Sequence, residues 1–210
     1  MPTLQTEFIP AQVAGSRRLM VVLHGLGDSS AGYRWMPEEM NLPWMNWQLV
    51  NAPDFYYGGY SWFDIQGNMR PGIDRSRALL VELLTDNLAR GFKTADTVLF
   101  GFSQGCLMTL ETGLRYPERF AALIGISGFL PDYEKVLAEA SSAARSQRIL
   151  VTHGTKDPLL PFSRVKEEMM ALKSSGIQVQ WVEYPKAHTI HGAEELALLR
   201  QFIVESYPAK

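Results

Sequence analysis

Residues 97–112 read Thr97-Val-Leu-Phe-Gly-Phe-Ser103-Gln-Gly-Cys-Leu-Met-Thr-Leu-Glu-Thr112, and their reading decides the fold. An apolar run, Val98-Leu99-Phe100, enters Gly101-Phe102-Ser103-Gln104-Gly105, and an apolar helical segment, Leu107 to Leu110, leaves it. Strand, sharp turn and helix with a serine at the tip is the nucleophile-elbow pattern. The serine takes a strained conformation that lifts its hydroxyl clear of the sheet. Glycines two before and two after it remove the side chains that would collide as strand and helix pass. The start of the helix leaves backbone N–H groups unsatisfied beside the serine, where they can bind developing negative charge.

Outward from this segment, strand-like and helix-like stretches alternate. Strands are predicted at Leu19–Leu23, Gln48–Asn51, Thr97–Phe100, Ala122–Ser127, Ile149–His153 and Val179–Tyr184, several as continuous apolar runs of the kind buried on both faces of a parallel sheet. Helices are predicted at Ile73–Arg90, Gln104–Tyr116, Tyr133–Ala144, Ser163–Ser175 and Ala193–Glu205; in the first, Leu79, Leu80, Leu83, Leu84 and Leu88 form one stripe. The alternation predicts an α/β fold, a mostly parallel central sheet flanked by helices on both faces. Leu4–Ile9 reads as an antiparallel edge strand. Neither a repeat nor a linker divides residues 1–210, so a single domain is expected, without a separate lid domain.

With 210 residues, the chain can bury a substantial core without disulfides or metals. A net charge of −2 and the lack of a basic run give no reason to expect nucleic-acid binding. The one cysteine, Cys106, excludes an internal disulfide and fits a reducing compartment. Neither a signal-peptide pattern nor a membrane-spanning apolar run is apparent, so a cytoplasmic location is expected.

Two further segments carry chemistry. The strand from Ile149 ends in a loop with Asp157, and the strand from Val179 is followed by Pro185-Lys-Ala-His188-Thr-Ile-His191. A serine hydroxyl is a poor nucleophile until an imidazole takes its proton, and a carboxylate must hold that imidazole in the right tautomer. Ser103, Asp157, His188 is the chain order this fold class uses, and each follows a predicted strand. Asp132 is a less convincing acid because it sits less clearly after a strand. Among the histidines, His24 reads as a loop brace and His153 as structural. His191 lies three residues past His188 and competes with it, but His188 falls in the loop just after the strand. The histidine pair has no third ligand at a supporting spacing, so neither metal nor cofactor is expected.

Leu19–Leu23 leads into His24-Gly-Leu-Gly-Asp-Ser29, a glycine-bearing loop. In this fold class such a loop supplies one oxyanion donor and the residue after the nucleophile supplies the other, which assigns the backbone N–H groups of Leu26 and Gln104. A phosphate-loop reading of the same stretch lacks the required glycine spacing and the Lys-Ser/Thr pair. Cys106 has nothing beside it to lower its pKa and reads as packing.

His24-Gly-Leu-Gly-Asp-Ser, Asn51-Ala-Pro, Ser61-Trp-Phe-Asp-Ile, Gly101-Phe-Ser-Gln-Gly, Ile126-Ser-Gly-Phe-Leu-Pro and His153-Gly-Thr-Lys-Asp resemble segments of the acyl-protein thioesterase, carboxylesterase and lysophospholipase family of small α/β-hydrolases. The matches run in order from about residue 19 to 203. The resemblance implies a lidless serine hydrolase of carboxylic esters or thioesters with Ser103, Asp157 and His188 as its triad. The substrate would be a small molecule, a lipid or an acylated protein, and the enzyme a monomer or homodimer. Lysophospholipase activity, or a non-catalytic binding protein on the same scaffold, are the alternatives. The chain departs from the family at Cys106, where glycine is usual, at Lys186-Ala187, where Met-Gly is usual, and in a shorter segment before Trp62.

Residues 33 to 63 hold ten aromatics, against 11% aromatic residues overall. Part of this set is expected in the core, Trp47 included, and part around a pocket. Trp62, with Phe129 and Leu160 from loops on the triad side of the sheet, is the predicted wall of an apolar acyl cleft.

Overall fold

The computed structural model describes residues 3–207. Among these residues nine strands form in chain order: β1 (Thr6–Ile9), β2 (Arg18–Leu23), β3 (Met45–Val50), β4 (Asp54–Tyr56), β5 (Gly59–Ser61), β6 (Thr97–Phe102), β7 (Ala122–Ile126), β8 (Ile149–Gly154) and β9 (Val179–Tyr184). The helices are α1 (Met36–Met40), α2 (Met69–Ala89), α3 (Gln104–Arg115), α4 (Tyr133–Ala138), α5 (Phe162–Ser174) and α6 (Gly192–Glu205). Seven strands make one sheet in the order β1-β3-β2-β6-β7-β8-β9, and β4 and β5 pair separately as a hairpin. All neighbours in the large sheet are parallel except β1, which lies antiparallel to β3 at the edge, Thr6 opposite Val50. The expected edge strand is thus present.

Side chains alternate between two apolar layers, as the period of two requires. Leu19, Val21, Leu23, Leu99, Leu123 and Val151 pack with α2, α3 and α5. Met20, Val22, Val98, Phe100, Ile124 and Leu150 pack on the opposite face with α1 and α6. Each fully buried aliphatic chain stabilises the fold by about 1.5–3 kcal/mol relative to exposure. Helix α3 is buried from Gln104 to Leu114.

Several boundaries differ from the sequence reading. Helix α2 begins at Met69, capped by the Asn68 side chain, and tolerates Pro71 in its first turn, where no intrahelical N–H is needed. Strand β3 begins at Met45 because Asn46, polar but buried, is satisfied by the Ser16 and Arg18 carbonyls and the Ala11 N–H. Helix α4 spans only six residues; a separate 3₁₀ turn, Ala144–Ser146, follows it.

From β2 the chain moves outward to β3, then returns to the other side of β2 at β6. The crevice at such a reversal, outside the carboxyl ends of the strands, is where open α/β sheets bind ligands. The loops after β2 and β6 meet there, and they are the glycine loop and the elbow.

Candidate active site

Ser103 sits between β6 and α3 at φ 54°, ψ −116°, outside the regions open to ordinary L-residues. Its neighbours explain how the turn survives. A side chain at Gly101 would run into the Gly105 backbone, and one at Gly105 would strike the Leu23 carbonyl. The Ser103 N–H is tied to the Ile126 carbonyl at 2.9 Å, which anchors the elbow to β7.

Residues far apart in the chain converge on this hydroxyl. His188 Nε2 lies 2.9 Å from Ser103 Oγ, and His188 Nδ1 lies 2.7 Å from Asp157 Oδ2. The other oxygen, Asp157 Oδ1, accepts from the Leu159 N–H at 2.9 Å and the Leu160 N–H at 3.0 Å. Burial works to raise the Asp157 pKa, but the N–H of Leu160, the His188 ring and the N–H of Leu159 outweigh it and hold the carboxyl below its usual range. An ionised Asp157 fixes the proton on His188 Nδ1 and leaves the Nε2 lone pair facing serine.

The remaining sequence candidates fall into two groups. The Leu26 and Gln104 N–H groups have no acceptor among the described residues, whereas the adjacent Gly27 N–H donates to the Tyr60 carbonyl and Tyr60 N–H to Asp28. The β4–β5 hairpin therefore braces the glycine loop. The Gln104 side chain adds a second brace, accepting from Trp62 N–H at 3.0 Å and donating to the Phe63 carbonyl at 3.0 Å; the sequence alone does not show this role.

The predicted pocket wall needs correction. Trp62 is fully buried, its indole N–H given to the His24 carbonyl at 2.9 Å, so it offers no surface to a ligand. Phe129 is buried against Phe63, ring centroids 6.4 Å apart, and Leu160 is half-buried with its N–H on Asp157. The cleft that touches His188, about 360 Å³, is lined instead by Tyr33, Trp35, Phe102 and Ile190 together with Asp28 and Thr189. Tyr33 and Trp35 belong to the aromatic-rich stretch; Phe55 and Tyr57, from the same stretch, project into solvent.

The other histidines and the cysteine are accounted for locally. His24 Nε2 accepts from the Ala52 N–H at 3.1 Å, which puts the proton on Nδ1, 2.6 Å from the Gly25 carbonyl; it braces the loop, and burial lowers its pKa. Buried His153 contacts the Leu160 carbonyl at 3.1 Å and stacks on Trp181. His191 stacks on Tyr184, ring centroids 4.9 Å apart. Cys106 is buried beneath the elbow, and burial pushes its thiol up to about 12, so it stays protonated. Asp132 lies in an ion pair with Arg70 at 2.5 Å.

A doubly flanked parallel sheet with a strained serine elbow, a hydrogen-bonded histidine and an acid after later strands defines an α/β-hydrolase. The family model for phospholipase/carboxylesterase matches residues 4–206, and the chain belongs to that family. Acyl-protein thioesterase 1 of Schizosaccharomyces pombe is 32% identical over 197 residues, 86% of this chain and 88% of that one. Carboxylesterase SOBER1 of Arabidopsis thaliana is 26% identical over 197 residues, covering 85% and 86%. The crystal structure of esterase PE8 superposes with a TM-score of 0.85 at 30% identity, over 98% of this chain and 100% of that one. The chain is accordingly a hydrolase of the esterase and thioesterase type. Among the described residues, no helix is long and apolar enough to cross a membrane.

Proposed function

We propose that the protein hydrolyses carboxylic esters or thioesters with an apolar acyl group through a covalent acyl-enzyme on Ser103. The observation that carries this reading is the continuous chain from Ser103 Oγ through His188 to Asp157, at 2.9 and 2.7 Å. His188 Nε2 takes the serine proton as Oγ attacks the acyl carbon, and the Asp157 carboxylate stabilises the imidazolium. The carbonyl oxygen, now negative, is received by the Leu26 and Gln104 N–H groups. Collapse breaks the bond to the leaving alcohol or thiol, which takes the proton from His188. Water then attacks the acyl carbon as it gives a proton to His188, and collapse breaks the bond to Oγ, which takes that proton back from His188 as the acid leaves.

The cleft beside His188 suits the leaving group, because that ring hands over the proton. Tyr33, Trp35, Phe102 and Ile190 line that cleft, and this frame favours an apolar substrate over a sugar or a highly charged one. An acylated protein or a lysophospholipid would be a substrate of the same chemistry.

A fluorophosphonate probe read by intact mass tests the reading. One adduct per chain, lost in Ser103→Ala, is expected; folded wild-type protein that takes no adduct would overturn it. Nitrophenyl esters from acetyl to palmitoyl, run beside acyl-CoA and an S-acylated peptide, then define the substrate.

A further inference from the structure

His188 lies in a connection without regular structure, between the end of β9 at Tyr184 and the start of α6 at Gly192. A base on such a loop is only as well placed as its anchors. A displacement of 1 Å in reacting groups can cost ~100-fold in rate. The hydrogen bond to Asp157 holds the ring, but the backbone beneath it needs its own support.

That support converges on one carboxylate. Glu195, in the first turn of α6, is fully buried, and so is Lys186, two residues before His188. Lys186 Nζ lies 2.6 Å from Glu195 Oε1 and 2.8 Å from Oε2. Glu195 Oε2 also accepts the His191 backbone N–H at 2.5 Å, three residues after His188. The Thr152 hydroxyl of β8 donates to Oε1. One side chain therefore grips the loop on both sides of His188 and ties it to β8, the strand that delivers Asp157. The loop lies directly on that strand: Lys156 N–H donates to the Lys186 carbonyl at 3.1 Å, and a side chain at Gly154 would collide with Lys186 and Ala187.

Stability alone is a poor account of this pair. Replacing both members of a buried ion pair with apolar groups of similar volume is often neutral or stabilising, whereas removing one member is costly. We propose that Glu195, locked by Lys186, is a positioning residue that sets His188 against Ser103 and Asp157. The kinetic part of its test rests on the hydrolase reading above; the spectroscopic part does not.

The variant Lys186→Met/Glu195→Leu removes both charges together, so neither is left buried and alone. With folding checked by circular dichroism, kcat on nitrophenyl butyrate is expected to fall ~10- to 100-fold while KM stays within about twofold of wild type. In NMR spectra, the downfield His188 Nδ1 proton shared with Asp157 is expected to broaden or vanish. Ile203→Ala, a fully buried change farther along α6, controls for lost stability: it should lower Tm and leave kcat unchanged. A folded double variant with wild-type kcat and an unaltered proton signal overturns the proposal, and so does an equal fall in kcat for Ile203→Ala at matched Tm. If the double variant does not fold, Thr152→Val removes the tie to β8 alone and decides the matter: a drop confined to kcat supports the proposal, and unchanged kcat with an unchanged signal defeats it. A wild-type enzyme without turnover would refute the hydrolase reading, while the proton signal would still test the positioning.

Discussion

Replacing Asp157 by Asn exchanges one carboxylate oxygen for an NH2 group and, from the geometry, should reverse the tautomer of the proposed base. Asp157 Oδ1 is held by two backbone donors, Leu159 N–H at 2.9 Å and Leu160 N–H at 3.0 Å, and Oδ2 faces His188 Nδ1 at 2.7 Å. An asparagine has one oxygen, and the two N–H groups claim it. Its NH2 then points at His188 Nδ1, which must accept, so the ring proton moves to Nε2 and faces Ser103 with no lone pair. The opposite amide rotamer would aim NH2 at two N–H donors and leave both unsatisfied, at about 1–3 kcal/mol each. The productive arrangement is therefore raised by roughly 2–6 kcal/mol, which at 1.36 kcal/mol per decade is a fall of ~30- to 10⁴-fold. Loss of the charge that stabilises the imidazolium adds to this, so kcat/KM is expected to drop by ~10³- to 10⁴-fold. Initial rates on nitrophenyl butyrate and the rate of fluorophosphonate labelling measure it, with Tm reporting the fold. A folded Asn variant retaining more than about a tenth of wild-type activity would refute the tautomer argument.

Other perturbations separate neighbouring readings of the same residues. His188→Ala should be about as damaging as Ser103→Ala, and His191→Ala far milder because its ring stacks on Tyr184 and faces Glu194 at 3.6 Å, away from Ser103; a reversed order in steady-state assays would reassign the base. Trp62→Ala should cost ~3–5 kcal/mol of stability, read by denaturant unfolding, since a fully buried indole is removed. Its activity loss should be alike on acetyl and palmitoyl esters, and a selective loss on long chains would restore Trp62 to the pocket. Glu168 has its pKa raised by burial, against the opposing pull of the Leu130 N–H and Arg164. Its stabilising contribution is therefore full below its unfolded value of about 4.5 and lost as pH rises through the higher folded value. Relative to Glu168→Gln, wild-type Tm should fall from pH 4 to pH 7; a gap moving in the wild type's favour would contradict this.

The proposed triad is legible in sequence because its members sit at chemically marked places: a serine between two glycines, an aspartate in a turn after an apolar strand, and a histidine just past another strand. The central sheet is legible because strands buried on both faces read as unbroken apolar runs. Ser30–Met40 and the β4–β5 hairpin are not, since aromatics and glycines there follow neither a period of two nor one of 3.6. For the same reason composition could not separate Trp62, sealed beneath the glycine loop, from Tyr33 and Trp35, which face the cleft. The Lys186–Glu195 contact was hidden differently. A lysine in a loop and a glutamate in a helix's first turn are ordinary surface residues until the fold closes over them.

The sheet order also imposes a timetable on synthesis. Ser103 and its proposed base are 85 residues apart, and that histidine follows β9, which among the described residues is an edge strand paired with β8. At ~5–20 residues per second, the ribosome completes the elbow about 4–17 s before it adds the histidine. Through that interval a nascent chain can bury its serine loop without a group able to deprotonate it. Under the proposed mechanism hydrolytic power arrives only once His188 has docked beside Ser103, so a polypeptide cut short before His188 is inert toward esters.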